Sequence, residues 1–171
     1  PASTTKTMTA YLALKYGNPD DTVTVSAHAT DFNWDESVAG LVTGDTLTLY
    51  DLLCGLMLCS GNDCGTAIAE HISGSEEAFA ELMNKEAARL GATGTHFVNP
   101  HGLHDEDHYT TAYDLYLILM QHVRISALWI SFPWTPIQRK SQGRPGRSGR
   151  IPVPRLTIMR RGFRRPRPGA P

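Results

Sequence analysis

Long hydrophobic runs are absent from this sequence. Its 171 residues contain no run of about 18 apolar residues, so no segment matches a transmembrane helix. The first residues, from Pro1 to Lys6, contain neither a basic region nor an apolar stretch, and we therefore expect no signal peptide. Without an initiator methionine, we expect a processed product or a fragment. A content of 41% hydrophobic and 19% charged residues excludes a collagen, a coiled coil and a fully disordered chain, and it predicts one globular domain.

Cysteine is also scarce. Three residues, Cys54, Cys59 and Cys64, form an odd set, which excludes a complete disulfide framework. Their C-x4-C-x4-C spacing matches none of the common zinc patterns. We interpret them as small buried thiols and predict no metal there.

Acidic residues are absent from the last 48 residues. Residues 124–171 contain 12 of the 16 lysines and arginines and eight of the 11 prolines. Residues 1–123 contain all 17 acids and only four bases, a formal charge of −13. The two compositions meet near His122 to Arg124. We predict a domain over residues 1–123 and a basic Arg/Pro/Gly-rich tail over residues 124–171.

Three interpretations of the tail remain open. Basic residues interleaved with aromatic ones are typical of segments that bind nucleic acid or anionic membranes, and the aromatic residues here are Trp129, Phe132, Trp134 and Phe163. A disordered proline-rich tail is the simpler interpretation. The abrupt change favours a third hypothesis, a frameshift near codons 122 to 124. We expect no nucleic-acid partner.

The pattern along the first 123 residues predicts mostly helices. Helical spacing and turn residues predict helices over 4–14, 48–58 and about 62–72, a further helix from the cap at Ser73 to Leu90, a last helix from about residue 111, and one strand over 22–27. Caps of the Thr-x-x-Asp or Ser-x-x-Glu form are expected at Thr48, Ser73 and Thr111. Few strands are expected, because most of any sheet is missing.

Two short motifs carry the candidate chemistry. Ser3 and Lys6 form an S-x-x-K tetrad, which on a helix places the hydroxyl and the amine on one face, one turn apart. A lysine can activate a serine if burial lowers the pKa of the amine enough for the neutral form to be populated. Ser60 and Asn62 form an S-x-N triplet, in which the serine could relay a proton and the amide could hold a substrate carbonyl or the lysine.

Both motifs, in this order, resemble those of the low-molecular-weight penicillin-binding proteins, the serine-type D-alanyl-D-alanine carboxypeptidases. The likeness covers residues 1 to about 122. The segments that carry it are Pro1-Ala2-Ser3-Thr4-Thr5-Lys6-Thr7-Met8-Thr9-Ala10, Ser60-Gly61-Asn62-Asp63, Ala69-Glu70-His71-Ile72, Phe79-x-x-Leu82-Met83-Asn84, Leu90-Gly91-Ala92, Thr95-His96-Phe97-Val98-Asn99-Pro100-His101-Gly102-Leu103 and Tyr109-Thr110-Thr111-Ala112-Tyr113-Asp114-Leu115.

The resemblance implies an α/β fold of the β-lactamase/transpeptidase type, with mainly the helical part present and the sheet incomplete. It implies that Ser3 is acylated, that Lys6 is the general base, and that Ser60 and Asn62 complete the proton relay and bind the substrate. The implied partners are peptidoglycan pentapeptide and β-lactam antibiotics. The resemblance implies no cofactor, an exported cell-envelope location, and membrane association only by analogy with the family.

The family's third element, a K-T-G triplet on a strand, does not occur in this sequence. Lys140-Ser141-Gln142 lacks the glycine, and Arg147-Ser148-Gly149 has no strand pattern around it. We expect impaired activity, because the substrate carboxylate loses its cationic partner. Without most of the sheet, we also expect the helices at 49–58 and 79–90 to lose the layer that covers their apolar faces.

Several alternatives to this function remain. Within the enzyme class they are a DD-endopeptidase and a class A β-lactamase, although the latter usually has S-D-N and a deacylating glutamate that this sequence does not reveal. Outside the enzyme class, the alternatives are a catalytically dead remnant and a basic-tailed binding protein. A metal site at His96, His101, His104 and His108 is disfavoured, because their segment matches a metal-free loop of the family.

Overall fold

The computed structural model describes residues 1–33 and 35–129 of the chain. The hypotheses on the tail beyond residue 129, and on Arg147-Ser148-Gly149, lie outside the described residues. In chain order, the elements are α1 (Lys6–Tyr16), β1 (Thr22–Thr24), β2 (Thr46–Thr48), α2 (Leu49–Leu58), α3 (Asn62–Ser73), α4 (Glu76–Arg89) and α5 (Ala112–Trp129), with 3-10 turns at Ala2–Thr5 and His28–Thr30.

Polar caps define where the helices begin. The predicted capping box of α2 is confirmed, since the Thr48 side chain accepts from the Asp51 N–H and Asp51 accepts from the Thr48 N–H. The predicted cap at Ser73 is wrong. Ser73 ends α3, and Ser75 caps α4 by accepting from the Ala78 N–H, because Gly74 in a left-handed conformation separates the two helices.

The described sheet consists of two short antiparallel strands. Val23 of β1 faces Leu47 of β2, and both side chains are buried. The predicted strand over 22–27 begins at the right residue but ends at Thr24, and β2 was not predicted, since three residues are too few to show alternation. The sheet is therefore incomplete, as the sequence indicates.

Helix α1 lies at the centre of the helical layer and contacts α2, α3, α4 and α5. Its small residues Ala10 and Ala13 pack into a core cluster with the two strands, α2 and α3. Its large residues Met8, Tyr11 and Leu12 pack into a second cluster with residues of α4 and α5. Because both faces are covered, α1 is buried around most of its circumference.

The C-terminal half of α1 is attached to α4 by a polar network around Glu86. This carboxylate is buried and accepts hydrogen bonds from Tyr11 Oη (2.8 Å), Lys15 Nζ (2.5 Å) and Arg89 Nε (2.8 Å). Arg89 also donates to the Tyr11 hydroxyl at 3.0 Å. A buried carboxylate paired in this way fixes the rotation of α1 against α4.

The expectation that α2 and α4 lose their covering layer is wrong. Their core residues are at most 1% exposed, because α1 and α3 pack on them: Leu49, Leu52, Leu56, Phe79, Met83 and Ala87. Exposed apolar side chains lie at the C-terminal end of α2, at Met57 and Leu58, and along α5: Tyr113, Tyr116, Leu119, Met120 and Val123. Among the described residues, no helix has both the length and the hydropathy needed to cross a membrane.

Candidate active site

The S-x-x-K tetrad lies at the junction between a 3-10 turn and α1. Ser3 lies in the turn Ala2–Thr5 and is exposed, whereas Lys6 begins α1 and is only 3% exposed. The Lys6 Nζ atom lies 3.5 Å from Ser3 Oγ. Ser3 and Lys6 therefore lie on one face, as predicted for a helix, because a separation of three residues also places two side chains on one face of a 3-10 turn.

The S-x-N triplet comes from the junction between α2 and α3. Ser60 adopts a left-handed conformation with φ of 53°, and its hydroxyl donates to Ser3 Oγ at 2.9 Å. Asn62 begins α3 and is buried, and its Oδ1 accepts from Lys6 Nζ at 2.8 Å. The structure thus brings together all four residues predicted for the site, although Ser3 and Ser60 lie 57 residues apart in the chain.

A main-chain carbonyl that the sequence did not reveal completes the environment of Lys6. The carbonyl oxygen of His101 accepts from Lys6 Nζ at 2.7 Å. Next to it, Gly102 has φ of +87°, and a Cβ atom there would lie 2.0 Å from the carbonyl oxygen of Ala2. This glycine is therefore needed for the loop to approach the residue before Ser3.

Burial controls the charge of Lys6. It lowers the pKa of Lys6 to about 8, while the charge of Asp63 opposes this shift in part. A neutral amine carries two hydrogens and one lone pair. The short bonds to Asn62 and His101 use the two hydrogens, so the lone pair is directed to the third neighbour, Ser3 Oγ. The arrangement is that of a base next to a nucleophile.

A buried carboxylate holds the start of α3 in place. Asp63 accepts from the backbone N–H groups of Ala39 (2.8 Å), Leu41 (2.9 Å) and Cys64 (2.9 Å). The Asn62 N–H donates to the carbonyl of Ser37 at 2.8 Å. The segment 37–41 is therefore fastened to the S-x-N triplet, which fixes the position of the amide that binds Lys6.

The remaining candidate residues do not form a metal site. Within the part of the chain that the structure describes, no group of three or more His, Cys, Asp or Glu side chains could hold a metal ion. His96, His101 and His108 instead make separate contacts with the loop that surrounds them. The cysteines are free thiols: Cys64 is buried, and Cys54 and Cys59 are half-buried. The interpretation as buried thiols therefore fits Cys64 fully and the other two in part.

Comparisons with known proteins identify the family of the chain. The family model described as D-alanyl-D-alanine carboxypeptidase matches residues 1–133. The carboxypeptidase DacF of Bacillus subtilis is 40% identical over 133 residues, which are 75% of this chain and 34% of that protein. Penicillin binding protein 5 from Haemophilus influenzae superposes with a TM-score of 0.68 at 40% identity, over 72% of this chain and 38% of that one.

Penicillin binding protein 6B from Escherichia coli has the same TM-score, at 37% identity, over 72% of this chain and 42% of that one. The chain spans about a third of the length of the curated relatives it matches. The domain boundary at residue 123 stays a prediction, and α5 continues past it to Trp129. The fold is the helical part of the α/β DD-peptidase fold with an incomplete sheet, and the chain belongs to the D-alanyl-D-alanine carboxypeptidase family.

Proposed function

We propose that this chain contains the acylation site of a serine-type D-Ala-D-Ala carboxypeptidase that acts on peptidoglycan stem peptides. The observation that carries this proposal is the environment of Lys6. Its amine is buried, bound by two neutral oxygens, and 3.5 Å from a serine hydroxyl that a second serine also contacts. Neutral acceptors do not stabilise an ammonium ion as a carboxylate would, so they leave the amine able to accept a proton.

In the proposed acylation step, Ser3 Oγ attacks the carbonyl carbon of the penultimate D-alanine and its proton passes to Lys6 Nζ. The C–N bond of the peptide then breaks. Lys6 returns the proton through the Ser60 hydroxyl to the leaving amine of D-alanine. Water later releases the peptide from Ser3.

Asn62 has two roles in this proposal. Its Oδ1 atom is engaged by Lys6. The Nδ2 group is a donor at the same position and would bind a carbonyl oxygen of the substrate. One side chain would thus orient both the base and the peptide.

For the 171-residue chain taken by itself, the proposal includes impaired turnover. No Lys-Thr-Gly triplet occurs in the sequence. A substrate carboxylate without a cationic partner loses an interaction that stabilises both the complex and the transition state. The partners in this proposal are peptidoglycan pentapeptide and β-lactams, and an extracytoplasmic location follows from where peptidoglycan lies.

Penicillin labelling of the 171-residue chain tests the proposal. We expect intact-mass spectrometry to show one adduct per chain, on Ser3. The adduct should disappear in Ser3→Ala and form at least about 100-fold more slowly in Lys6→Ala. The exposed hydroxyl of Ser126 provides a matched control, since Ser126→Ala should label like the parent chain. An adduct that persists in Ser3→Ala would overturn the proposal.

A diacetyl-Lys-D-Ala-D-Ala peptide then separates the enzyme classes. Acylation by penicillin with little release of D-alanine is the result expected for the impaired carboxypeptidase. Rapid hydrolysis of penicillin would indicate a β-lactamase, and cleavage of cross-linked peptides alone would indicate an endopeptidase. No adduct under any condition would indicate a dead remnant.

A further inference from the structure

A second histidine near the site has a defined role in the geometry. His108 follows the acidic loop 105–107 and is only 7% exposed. Its Nε2 atom lies 2.8 Å from Thr5 Oγ1, and its Nδ1 atom lies 3.1 Å from the backbone nitrogen of Val98. The imidazole therefore bridges the 3-10 turn that carries Ser3 and the loop that leads to His101.

The two bonds identify the tautomer. A backbone N–H can only donate, so the Nδ1 atom of His108 accepts from Val98. The neutral ring then carries its proton on Nε2, which donates to Thr5 Oγ1. Burial lowers the pKa of His108 to about 4, so this neutral form is the one present near pH 7.

The bridge lies among the contacts that set the position of Lys6. Thr5 is fully buried and directly precedes Lys6 in the chain. Three residues of this region bond to one loop: Thr5 through His108, Lys6 to the carbonyl of His101 at 2.7 Å, and Thr9 to the carbonyl of Pro100 at 2.6 Å. A shift of the turn against the loop would change the distance between Lys6 and its acceptors.

We propose that His108 is a positioning residue, which holds the Ser3 turn against the 98–101 loop through Thr5 and Val98 and so sets the separation of Lys6 and Ser3. His108 touches neither Ser3 nor Lys6 in the structure and needs no contact with substrate. The catalytic consequence rests on the proposed function of Ser3, whereas the positional role does not.

Substitutions that each remove one bond test the role. An Asn at this position can place its oxygen near the position of Nδ1, so His108→Asn should keep the Val98 bond and lose the Thr5 bond. A Gln can place its amide nitrogen near the position of Nε2, so His108→Gln should keep the Thr5 bond and lose the Val98 bond. Thr5→Val removes the hydroxyl at nearly constant volume, and Thr5→Ser is the matched control that retains it.

The expected result is a loss of acylation rate at saturating penicillin. A misplacement of about 1 Å costs on the order of 100-fold, so we expect a 10- to 100-fold loss in Thr5→Val and His108→Asn, and a smaller loss in His108→Gln. Thr5→Ser should remain within about threefold of the parent chain. The double variant of Thr5→Val and His108→Asn should be no slower than either single variant, because both remove the same bond.

Nuclear magnetic resonance provides a readout that does not need activity. In the parent chain, the ring nitrogens of His108 should show a neutral ring with the proton on Nε2. In Thr5→Val and His108→Asn, the pKa of Lys6 should rise from about 8 towards its ordinary value of 10.5, because a looser loop admits water.

Two outcomes would overturn the proposal. One is a proton on Nδ1 of His108 in the parent chain. The other is a lower melting temperature in Thr5→Val and His108→Asn with an unchanged Lys6 pKa and acylation rate, which would show a role in stability alone. A further outcome separates this proposal from the proposed function. If neither the parent chain nor any variant is acylated but the Lys6 pKa changes as expected, the positioning role of His108 is supported and the proposed function is wrong.

Discussion

The two lysines of α1 lie at opposite ends of one helix and have opposite properties. Lys6, at the N-terminal end, contacts only neutral oxygens, and burial lowers its pKa to about 8. Burial also disfavours the charged form of Lys15, at the C-terminal end, but hydrogen bonds to Glu86 and Tyr16 outweigh it and raise the pKa of Lys15. Lys15 is also less buried than Lys6, so burial and the charge of the acceptor together decide whether a lysine of this helix can act as a base.

The two ends also differ in what they stabilise. At the Lys15 end, a buried carboxylate with three donors joins α1 to α4. At the Lys6 end, no carboxylate contacts the amine directly. The buried amine therefore loses solvation free energy that no ion pair restores, and its neutral form can react with a proton. Such a division, with one end built for stability and the other for chemistry, is expected where a site has to be held rigidly.

The largest expected effect comes from making the Lys6 end similar to the Lys15 end. Asn62→Asp replaces the neutral acceptor with a carboxylate, which should raise the pKa of Lys6 above 10. At pH 7 the neutral amine would become scarce, and acylation by penicillin should slow by at least about 100-fold. Stopped-flow labelling measures the rate. Asn18→Asp, in an exposed turn, adds the same charge elsewhere and should change little.

Removing the carboxylate at the other end should change stability rather than chemistry. Glu86→Gln leaves Lys15 and Arg89 without their ion pair, and we expect a loss of about 2–4 kcal/mol in the free energy of unfolding, measured with urea. The pKa of Glu86 is lowered to about 2, so its contribution should be present above pH 4.5 and disappear as the pH falls through 2. A variant whose stability kept this acid dependence would contradict the assignment to Glu86.

The buried histidines beside the Lys6 end predict a separate pH window. Burial lowers the pKa of both His101 and His108 to about 4. Between pH 6.5 and about 4, the unfolded chain binds protons that the folded chain excludes, so the contribution of these histidines to stability should fall across this window and level off below it. Urea titrations at a series of pH values measure the slope. In His108→Gln the slope should be about half as steep, and an unchanged slope would show that His108 does not contribute.

The smallest expected effect distinguishes the two serines before α4. Ser75→Ala removes the side-chain cap of the helix and should cost about 1 kcal/mol of stability. Ser73→Ala should stay within about 0.5 kcal/mol of the parent chain, because Ser73 is a residue of α3 rather than a cap. Equal losses in both variants would contradict the boundary between the two helices.

The sequence predicted the elements whose signals are local. A capping box marks the start of α2, and a regular apolar spacing marks α4. Strand β2 was not predicted, because its three residues are held in a strand by pairing with β1 rather than by a local sequence pattern. The amphipathic pattern is weak in α1 because clusters on two sides bury it. The cap of α4 was misplaced because Ser73 has a glutamate three residues later, Glu76, whereas the actual cap Ser75 has Ala78 at that distance.

The candidate site was predictable where side chains carry the chemistry. Ser3 and Lys6 are connected by helical spacing, and Ser60 and Asn62 by the resemblance to a family. The carbonyl of His101 could not be predicted, because every residue has a main-chain carbonyl and only the fold selects one. The bond between Thr5 and His108 spans 103 residues and has no signature in the sequence.

The most direct test of the difference between the two lysines is to measure both pKa values in one sample. Lysine labelled with ¹³C at Cε reports each pKa through its chemical shift, and Lys6→Arg and Lys15→Arg assign the signals. The expected result is a Lys6 pKa near 8 and a Lys15 pKa above 10.5. A Lys6 that titrates at 10.5 or higher would contradict its proposed role as the base that activates Ser3.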